Sequence, residues 1–497
     1  MKKYLKILMF LSILSLIILF SCTTQQAGEH AGQQNGQKTE PALNKNPAIT
    51  DIIGVWEGKL LIGKASLKIV FRITKDLNGA VKASLDSPDQ GAYGIPVSKA
   101  SYTDEKIILT VTKIRGNYTG TLSKDKKYIE GIWKQNGVSL PLKLSRKTSP
   151  VTCTKTVELK EPKPPYPYRV ENVKFKNIQE GITLAGTLTY PKLKNMQAGY
   201  SKSGSKIPAV VLISGSGSQN RNEEVFGHKP FLVLADYLTR NGIAVLRYDD
   251  RGFGESGGNV ANATSLNYAE DAYSAFKFLN SKSFVDKTKT GLIGHSEGAL
   301  IASYLASNHK DIAFIVLLAG PGVTGKQLIL MQSDALLHAG GASEGYIKKV
   351  HRINEQIYDI ALKEKNTATA KEKITKILKN LKLTKEQIKM QEKAVLSPWY
   401  RFFLAYNPRP VLEKVKCPVL ALGGSLDLQV PARTNLKSVK DALAKGGNKH
   451  YTVMELKGLN HLFQHAKTGL PQEYARLKET FSVDALKIIA DWIKNLN

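Results

Sequence analysis

Cysteine is scarce in this chain: three occur among 497 residues, at positions 22, 153 and 417. So few cysteines exclude a disulfide framework of the kind that holds small secreted domains together. Cys153 and Cys417 either pair in an oxidising compartment or remain free thiols. No cluster of Cys and His has the spacing of a zinc site, and we expect neither a metal nor another cofactor.

Acidic residues are also in short supply. Asp and Glu number 42 against 71 Lys and Arg, which gives a formal net charge of +29. Such an excess suits nucleic acid, an anionic membrane surface, or simply a solvated lysine-rich exterior, which is the default interpretation. The export signal described next argues against nucleic acid as a partner.

The N-terminus has a long apolar run at residues 7–20, which three lysines precede and Ser21 and Cys22 follow. The run is too short for a comfortable membrane span and is typical of a targeting segment. A small residue directly before a cysteine resembles the lipobox of bacterial lipoproteins. This resemblance implies removal of residues 1–21, acylation of Cys22, and an exported protein held by lipid on the periplasmic or cell-surface face of a membrane. An uncleaved anchor and a signal cut elsewhere are the alternatives.

Composition divides the next part of the chain into three segments. Residues 22–50 are polar and almost free of apolar side chains, which predicts a disordered tether. Residues 51–147 alternate apolar and polar residues and contain Asn-Gly pairs at 78–79 and 136–137, which predicts a small antiparallel β-barrel or sandwich. Proline-rich residues 148–169 predict a stiff, extended linker.

From residue 170 to 497 the pattern changes to apolar strands that alternate with amphipathic helices. This alternation predicts an α/β fold with a mostly parallel sheet that is covered on both faces. Residues 325–396 have helical periodicity and no strand, so we expect a helical cap inserted over the carboxyl edge of the sheet. Packing against the sheet without a further function and a moving lid over the site are both consistent with such an insertion.

The strongest motif is Gly294-His295-Ser296-Glu297-Gly298, which follows an apolar strand and precedes a helical pattern. It fits G-x-S-x-G in the context that a nucleophile elbow requires. The serine lies in a strained turn, so the residues two before and two after it must be small, and glycine meets that need. Ser296 is therefore the candidate nucleophile, beside a helix N-terminus that favours negative charge.

A serine hydroxyl needs an oriented base, and two further residues qualify. Asp427 and His461 each follow the end of an apolar strand, so a parallel sheet brings both to the same edge as Ser296. His461 would take the serine proton, and Asp427 would orient the imidazole and stabilise its charged form. His465 is an alternative base, and we expect Asp441 to be a surface charge.

An oxyanion hole needs two N–H donors aimed at the developing negative charge. The backbone N–H of Glu297 is the first candidate, and we expect its carboxylate to have no role. The second donor should come from the loop after the apolar strand at 209–214, from Ser216 or alternatively Gly217. This loop is not a phosphate-binding loop, because it lacks the Gly-Lys-Ser/Thr ending.

Four segments together are similar to the EstD-like carboxylesterases of the α/β-hydrolase superfamily, within the dienelactone hydrolase and serine aminopeptidase S33 group. They are the D-x-R-G-x-G-x-S turn at 249–256, the loop at 214–223, the Gly-His-Ser-Glu-Gly motif and residues 458–463. The similarity covers residues 168–497, and residues 51–147 resemble the domain that precedes such esterases. The family often has His where Ser214 stands. Asp250, Arg251 and Ser256 then serve as turn scaffolding.

The resemblance implies hydrolysis of a small-molecule carboxylic ester, of short acyl chain, through an acyl-enzyme and without a cofactor. One rival is a serine aminopeptidase or acyl-peptidase, since the wider group contains peptidases. A rival of another class is a lipid-anchored binding module whose hydrolase domain is inactive.

Overall fold

The computed structural model describes residues 51–147 and 161–496, apart from short gaps at 63–64, 76–80, 89–91, 115, 136–137, 193–205, 382 and 384. Its described residues form two compact units, one within residues 21–156 and one within 157–497. The predicted signal segment with Cys22, the tether, residues 148–160 of the linker with Cys153, and both Asn-Gly pairs lie outside the described residues.

The first unit is one antiparallel sheet, a half-barrel whose strands run in the order β4-β3-β2-β1-β9-β8-β7-β6-β5. Ile69, Phe71 and Ile73 of β2 point into a single core that also holds Trp56 and Tyr118, as the alternation of the sequence predicts. The strands are β1 Gly54–Ile62, β2 Ala65–Lys75, β3 Val81–Ser87, β4 Ala92–Pro96, β5 Lys99–Thr103, β6 Lys106–Val111, β7 Gly116–Leu122, β8 Tyr128–Gln135 and β9 Val138–Arg146.

The second unit is built on an eight-stranded sheet in the order β10-β11-β13-β12-β14-β15-β16-β17. The pairs β10–β11 and β11–β13 are antiparallel, and every other pair in this sheet is parallel. The strands are β10 Arg169–Asn177, β11 Ile182–Tyr190, β12 Ile207–Ile213, β13 Ala244–Tyr248, β14 Val285–His295, β15 Phe314–Leu318, β16 Val419–Gly424 and β17 Tyr451–Leu456.

Helices cover both faces of this sheet, which confirms the α/β-hydrolase fold expected from the sequence. Helices α1 (Pro230–Arg240) and α12 (Val483–Lys494) bury their apolar sides against one face. Helices α2 (Ser265–Asn280), α3 (Glu297–Asn308) and α10 (Ala432–Lys445) cover the other, and a short α11 spans Pro471–Tyr474. Because both faces are covered, strands β13, β15 and β16 are buried along their whole length.

A helical insertion separates β15 from β16. It consists of α4 Gly325–Ala339, α5 Glu344–Lys363, α6 Thr367–Lys379, α7 Lys385–Val395, α8 Pro398–Ala405 and α9 Arg409–Leu412. Helices α4 to α8 share an apolar core of their own, which also includes Leu300 of α3 and Val430. Leu412 of α9 instead packs with the core on one face of the main sheet. Within the described part of the chain, no helix is both long enough and apolar enough to cross a membrane.

The order of the strands creates a crevice at one point of the sheet. The chain leaves β12 for β13 on one side and then returns past β12 to form β14 on the other. The loops that follow β12 and β14 therefore diverge at their carboxyl ends, which is where ligands bind in open α/β sheets. Ser214 follows β12, and Ser296 follows β14.

Candidate active site

Ser296 lies in the turn between β14 and α3 with φ 54° and ψ −116°. A non-glycine residue held in such a conformation costs about 1–3 kcal/mol, so the surrounding structure must impose it. The chain packs tightly on both sides of the turn. A Cβ at Gly294 would lie 2.0 Å from the carbonyl oxygen of Gly298, and a Cβ at Gly298 would lie 2.1 Å from that of Ile213. The glycines of the motif thus have a direct steric cause.

Asp427 and His461 form a buried hydrogen-bonded pair, with 2.8 Å between Asp427 Oδ2 and His461 Nδ1. The other carboxylate oxygen of Asp427 accepts hydrogen bonds of 2.8 Å from the backbone N–H groups of Gln429 and Val430. The carboxylate is therefore fixed on both oxygens. Its bond to Nδ1 leaves Nε2 as the nitrogen of His461 that can exchange a proton with a nucleophile.

The Asp427–His461 pair is hydrogen-bonded to the turn around Ser296 through His295, the residue that precedes the serine. His295 Nε2 lies 2.9 Å from the carbonyl oxygen of His461, and the two imidazole rings are 4.7 Å apart between centroids. Among the described residues, the Ser296 hydroxyl makes no hydrogen bond, to His461 or otherwise. Catalytic hydrogen bonds are often formed only in the complex with substrate, so the structure brings Asp427 and His461 together and leaves the bond to Ser296 open.

The candidate oxyanion donors lie close to the elbow. Glu297 begins α3, so its backbone N–H has no acceptor within the helix. Neither this group nor the N–H of Ser216 or Gly217 donates to a protein acceptor in the described ranges. A Cβ on Gly215 would be 3.2 Å from the Cβ of Ser296, so the loop after β12 runs directly beside the serine.

Two buried carboxyl groups hold this loop. The Ser214 hydroxyl donates to Asp250 at 2.8 Å, as does the backbone N–H of Gln219, and the N–H of Gly215 donates to Glu223 at 2.7 Å. Burial raises the pKa of Asp250 well above its usual value, although the hydrogen bonds from Gln219 and Ser214 oppose the shift. Asp250, which the sequence identified only as turn scaffolding, also ties down the candidate oxyanion loop.

The rest of the turn at 249–256 forms a scaffold. Arg251 makes a buried ion pair of 2.7 Å with Asp271 on α2. The Ser256 hydroxyl donates to the carbonyl oxygen of Asp249 at 2.6 Å and accepts from the N–H of Ala185 at 2.9 Å. These contacts bind the turn to β11 and α2.

The carboxyl group of Glu297 has a role that the sequence reasoning missed. It accepts hydrogen bonds from the Trp399 indole N–H at 2.8 Å and from the Ser265 hydroxyl, and it is buried. The expectation that its carboxylate has no role is thus wrong, because this group joins the elbow to α2 and to the helical insertion. Burial raises the pKa of Glu297 to about 7, while the two hydrogen bonds lower it. No local pattern in the sequence indicates a partner about a hundred residues away.

The alternatives considered from the sequence lie elsewhere. His465 is exposed and pairs with Glu479 at 2.9 Å, and Asp441 makes an exposed ion pair of 2.6 Å with Lys437. Neither contacts the pair formed by Asp427 and His461.

Cys417 is a free thiol among the described residues, and burial raises its pKa to about 12. A thiol with so high a pKa is largely protonated at neutral pH and is a poor nucleophile. The described ranges also contain no group of His, Cys, Asp or Glu side chains arranged to hold a metal ion.

Comparisons with known proteins agree with the resemblance noted from the motifs. A model of the family described as "Serine aminopeptidase, S33" matches residues 230–465, a little under half of the chain. Esterase EstD of Thermotoga maritima is 25% identical over 296 residues, which cover 59% of this chain and 61% of EstD. The alignment thus spans about three fifths of that relative's length.

Two further proteins are similar over a shorter part of this chain or at lower sequence identity. Polyketide transferase claH of Penicillium crustosum is 34% identical over 111 residues, 20% of this chain and 36% of that protein. A solved esterase structure from Pyrococcus furiosus is 15% identical, with a TM-score of 0.41 over 68% of this chain and 98% of its own.

Proposed function

We propose that this α/β-hydrolase chain is a serine carboxylesterase that uses Ser296 as nucleophile, His461 as general base and Asp427 as the residue that orients the base. The observation that carries the proposal is the buried Asp427–His461 pair, hydrogen-bonded through His295 to the strained turn that presents Ser296. A carboxylate, an imidazole and a serine at one sheet edge are the elements that acyl transfer requires.

The chemistry then follows the usual course of acyl transfer. His461 accepts the proton of Ser296 as its Oγ attacks the ester carbonyl carbon, and the N–H groups of Glu297 and Ser216 or Gly217 stabilise the oxyanion. When the intermediate collapses, His461 returns the proton to the departing alcohol. The same imidazole takes a proton from water as the water attacks the acyl-enzyme, and it gives that proton to Ser296 Oγ as the bond to the acyl group breaks and the acid leaves.

Short-chain carboxylic esters are the proposed substrates. The similarity to Esterase EstD supports an ester as substrate, and the short acyl chain is carried over from the resemblance of the sequence motifs. No cofactor takes part in the proposed reaction.

Peptide hydrolysis is the second candidate function, because the family model that matches residues 230–465 is named for a serine aminopeptidase. An aminopeptidase must recognise a free α-amino group as well as the scissile carbonyl. Turnover of aminoacyl p-nitroanilides at a kcat/KM above that of p-nitrophenyl esters would favour this activity.

The test is hydrolysis of p-nitrophenyl esters from acetate to laurate, together with labelling by a fluorophosphonate probe. Ser296→Ala should abolish turnover and labelling without unfolding the protein. The matched control is Ser303→Ala, a buried serine of the helix that follows Ser296, whose hydroxyl donates to the Ala299 carbonyl at 2.8 Å. Folded wild-type protein that neither turns over an ester nor takes the probe would favour an inactive, lipid-anchored binding module instead.

We also propose, from the sequence alone, that the protein is exported and anchored to a membrane by lipid on Cys22. Metabolic labelling with a radioactive fatty acid tests this anchor. Label that persists in the Cys22→Ala variant would refute it.

A further inference from the structure

The buried residues beside the site include an acidic group that the proposed reaction does not use. Glu223 is 3% exposed, and its Oε1 accepts a hydrogen bond of 2.7 Å from the backbone N–H of Gly215 and one of 2.9 Å from His295 Nδ1. Glu223 has φ 50°, so the chain adopts an unfavourable left-handed conformation at the point where this carboxylate is presented.

The partners of His295 determine its protonation. Its Nδ1 faces the Glu223 carboxylate, and its Nε2 faces the carbonyl oxygen of His461 at 2.9 Å. Both partners are acceptors, and a neutral imidazole has only one N–H to donate. With Glu223 ionised, both contacts are hydrogen bonds only when the ring carries two protons and a positive charge.

The electrostatic surroundings agree with this state. Burial alone lowers the pKa of His295, but the charge and hydrogen bond of Glu223, the His461 carbonyl and the charge of Asp427 outweigh it, so the net pKa is raised. Glu223, Asp427 and the His461 ring are the titratable groups that face His295.

We propose that Glu223 and His295 form a buried ion pair that positions both halves of the catalytic site. Through Gly215 the pair holds the loop that carries the oxyanion donors, and through the His461 carbonyl it holds the main chain of the general base. This inference rests on the function proposed for Ser296, His461 and Asp427. Glu223 and His295 are positioning residues, and neither reacts with substrate.

The variant Glu223→Gln removes the negative charge of the side chain and keeps its size and shape. In the wild type one oxygen, Glu223 Oε1, accepts from both Gly215 and His295. An amide oxygen can replace it, with the contact to the His461 carbonyl also kept, only while His295 carries both protons. A neutral ring with its proton on Nδ1 loses the hydrogen bond to the His461 carbonyl. A neutral ring with its proton on Nε2 requires the amide to donate to Nδ1, which places an N–H group against the Gly215 N–H.

The raised pKa of His295 determines how the activity of the variant should depend on pH. In the wild type the raised pKa keeps the proton on His295 to higher pH than is usual for histidine. Glu223→Gln removes the first cause of the increase and leaves the burial that lowers the pKa, so the proton is lost at lower pH. The site of the variant should be intact in acid and impaired in alkali.

The experiment measures kcat/KM on one p-nitrophenyl ester from about pH 6 to about pH 9, for the wild type, Glu223→Gln and the control Glu224→Gln. Relative to the wild type, Glu223→Gln should lose roughly 10- to 100-fold as the pH rises, the cost of one hydrogen bond to a charged group. Glu224→Gln makes the same change one residue away and should follow the wild-type profile. A profile of Glu223→Gln parallel to the wild type, at whatever level, would overturn the proposal.

A second measurement does not depend on ester turnover. In full-length protein with ¹⁵N-labelled histidine, NMR of the ring nitrogens should show both nitrogens of His295 protonated near neutral pH, with the signal assigned by its loss in His295→Gln. The same signal should be lost in Glu223→Gln above about pH 7. A singly protonated ring in the wild type refutes the ion pair even if the protein is an esterase. A doubly protonated ring without any turnover refutes the esterase and leaves the pair intact.

Discussion

Glu297→Gln should stabilise the α/β unit in alkali and leave its stability unchanged in acid. The Ser265 hydroxyl and the Trp399 indole N–H both donate to the same oxygen, Glu297 Oε1, and an amide oxygen can accept both bonds. Glutamine also carries no charge, so the variant imitates the protonated glutamate. The difference between wild type and variant therefore measures the cost of the buried negative charge.

The magnitude follows from the raised pKa. Burial moves the pKa of Glu297 from 4.5 to about 7, so between these values the folded state binds a proton that the unfolded state has released. Stability of the wild type consequently falls as pH rises through this window. A displacement of about 2.5 pKa units corresponds to about 3 kcal/mol, which the variant should regain above about pH 8 and not below about pH 4, where the folded and the unfolded wild type are both protonated at Glu297.

The assay is urea unfolding at about pH 4 and about pH 8.5, followed by far-UV circular dichroism. The α-helices of the described ranges all lie in the second unit, so the helical signal reports on the unit that contains Glu297. Other buried acids, such as Asp250, are present in both proteins, so their contribution cancels when the stability of the wild type is subtracted from that of Glu297→Gln.

Glu344→Gln is the matched control, because this glutamate is 69% exposed and should give the wild-type stability at both pH values. An equal stability difference between wild type and Glu297→Gln at both pH values would refute the reasoning, since it would mean that no proton is taken up at Glu297 on folding. The variant keeps the backbone N–H, so fluorophosphonate labelling of Ser296 should persist.

Three shorter predictions concern the site. Gly298→Ala should cost several kcal/mol in thermal denaturation and abolish probe labelling, because the added Cβ would lie 2.1 Å from the Ile213 carbonyl oxygen; a folded, labelled variant would contradict this. Asp427→Asn should retain the fold but lower kcat by about 10⁴-fold, since an amide N–H facing His461 Nδ1 selects the wrong tautomer; a loss below tenfold would argue against the assigned role. His465→Ala should stay within about twofold of wild-type kcat/KM, because His465 is exposed and, among the described residues, its ring bonds only to Glu479; a large loss would reinstate His465 as the base.

The sequence predicted those parts of the molecule that local rules determine. Continuous apolar strands indicated a sheet covered on both faces, and that sheet is present. The spacing of Gly294 and Gly298 around Ser296 predicted a sharp turn. The close approach of the Ile213 carbonyl to Gly298 shows why only glycine fits at that position. Ser296, Asp427 and His461 each follow the end of an apolar strand, which predicted that a parallel sheet brings them to one edge.

Local rules could not predict contacts between side chains that are far apart along the sequence. The bonds of Glu223 to His295 and of Glu297 to Trp399 join residues 72 and 102 positions apart. Which buried acid meets which donor depends on how loops and helices pack, and no periodicity reports that.

The helical insertion extends further than the range of 325–396 given by periodicity, since its apolar core includes the helix Pro398–Ala405. Ser397-Pro398 looks like a helix stop in the sequence. In the structure, the Ser397 hydroxyl caps a new helix, and proline occupies its first position, where the missing N–H costs nothing.

The separation of the site residues along the chain also affects when hydrolysis becomes available during synthesis. His295 binds the main chain of His461 across 166 positions, and the strands that precede Asp427 and His461 are the last two of the sheet along the chain. Synthesis runs from the N-terminus, so Ser296 leaves the ribosome long before His461. In the proposed mechanism, nascent chains and chains that end before His461 therefore carry a Ser296 hydroxyl without its base.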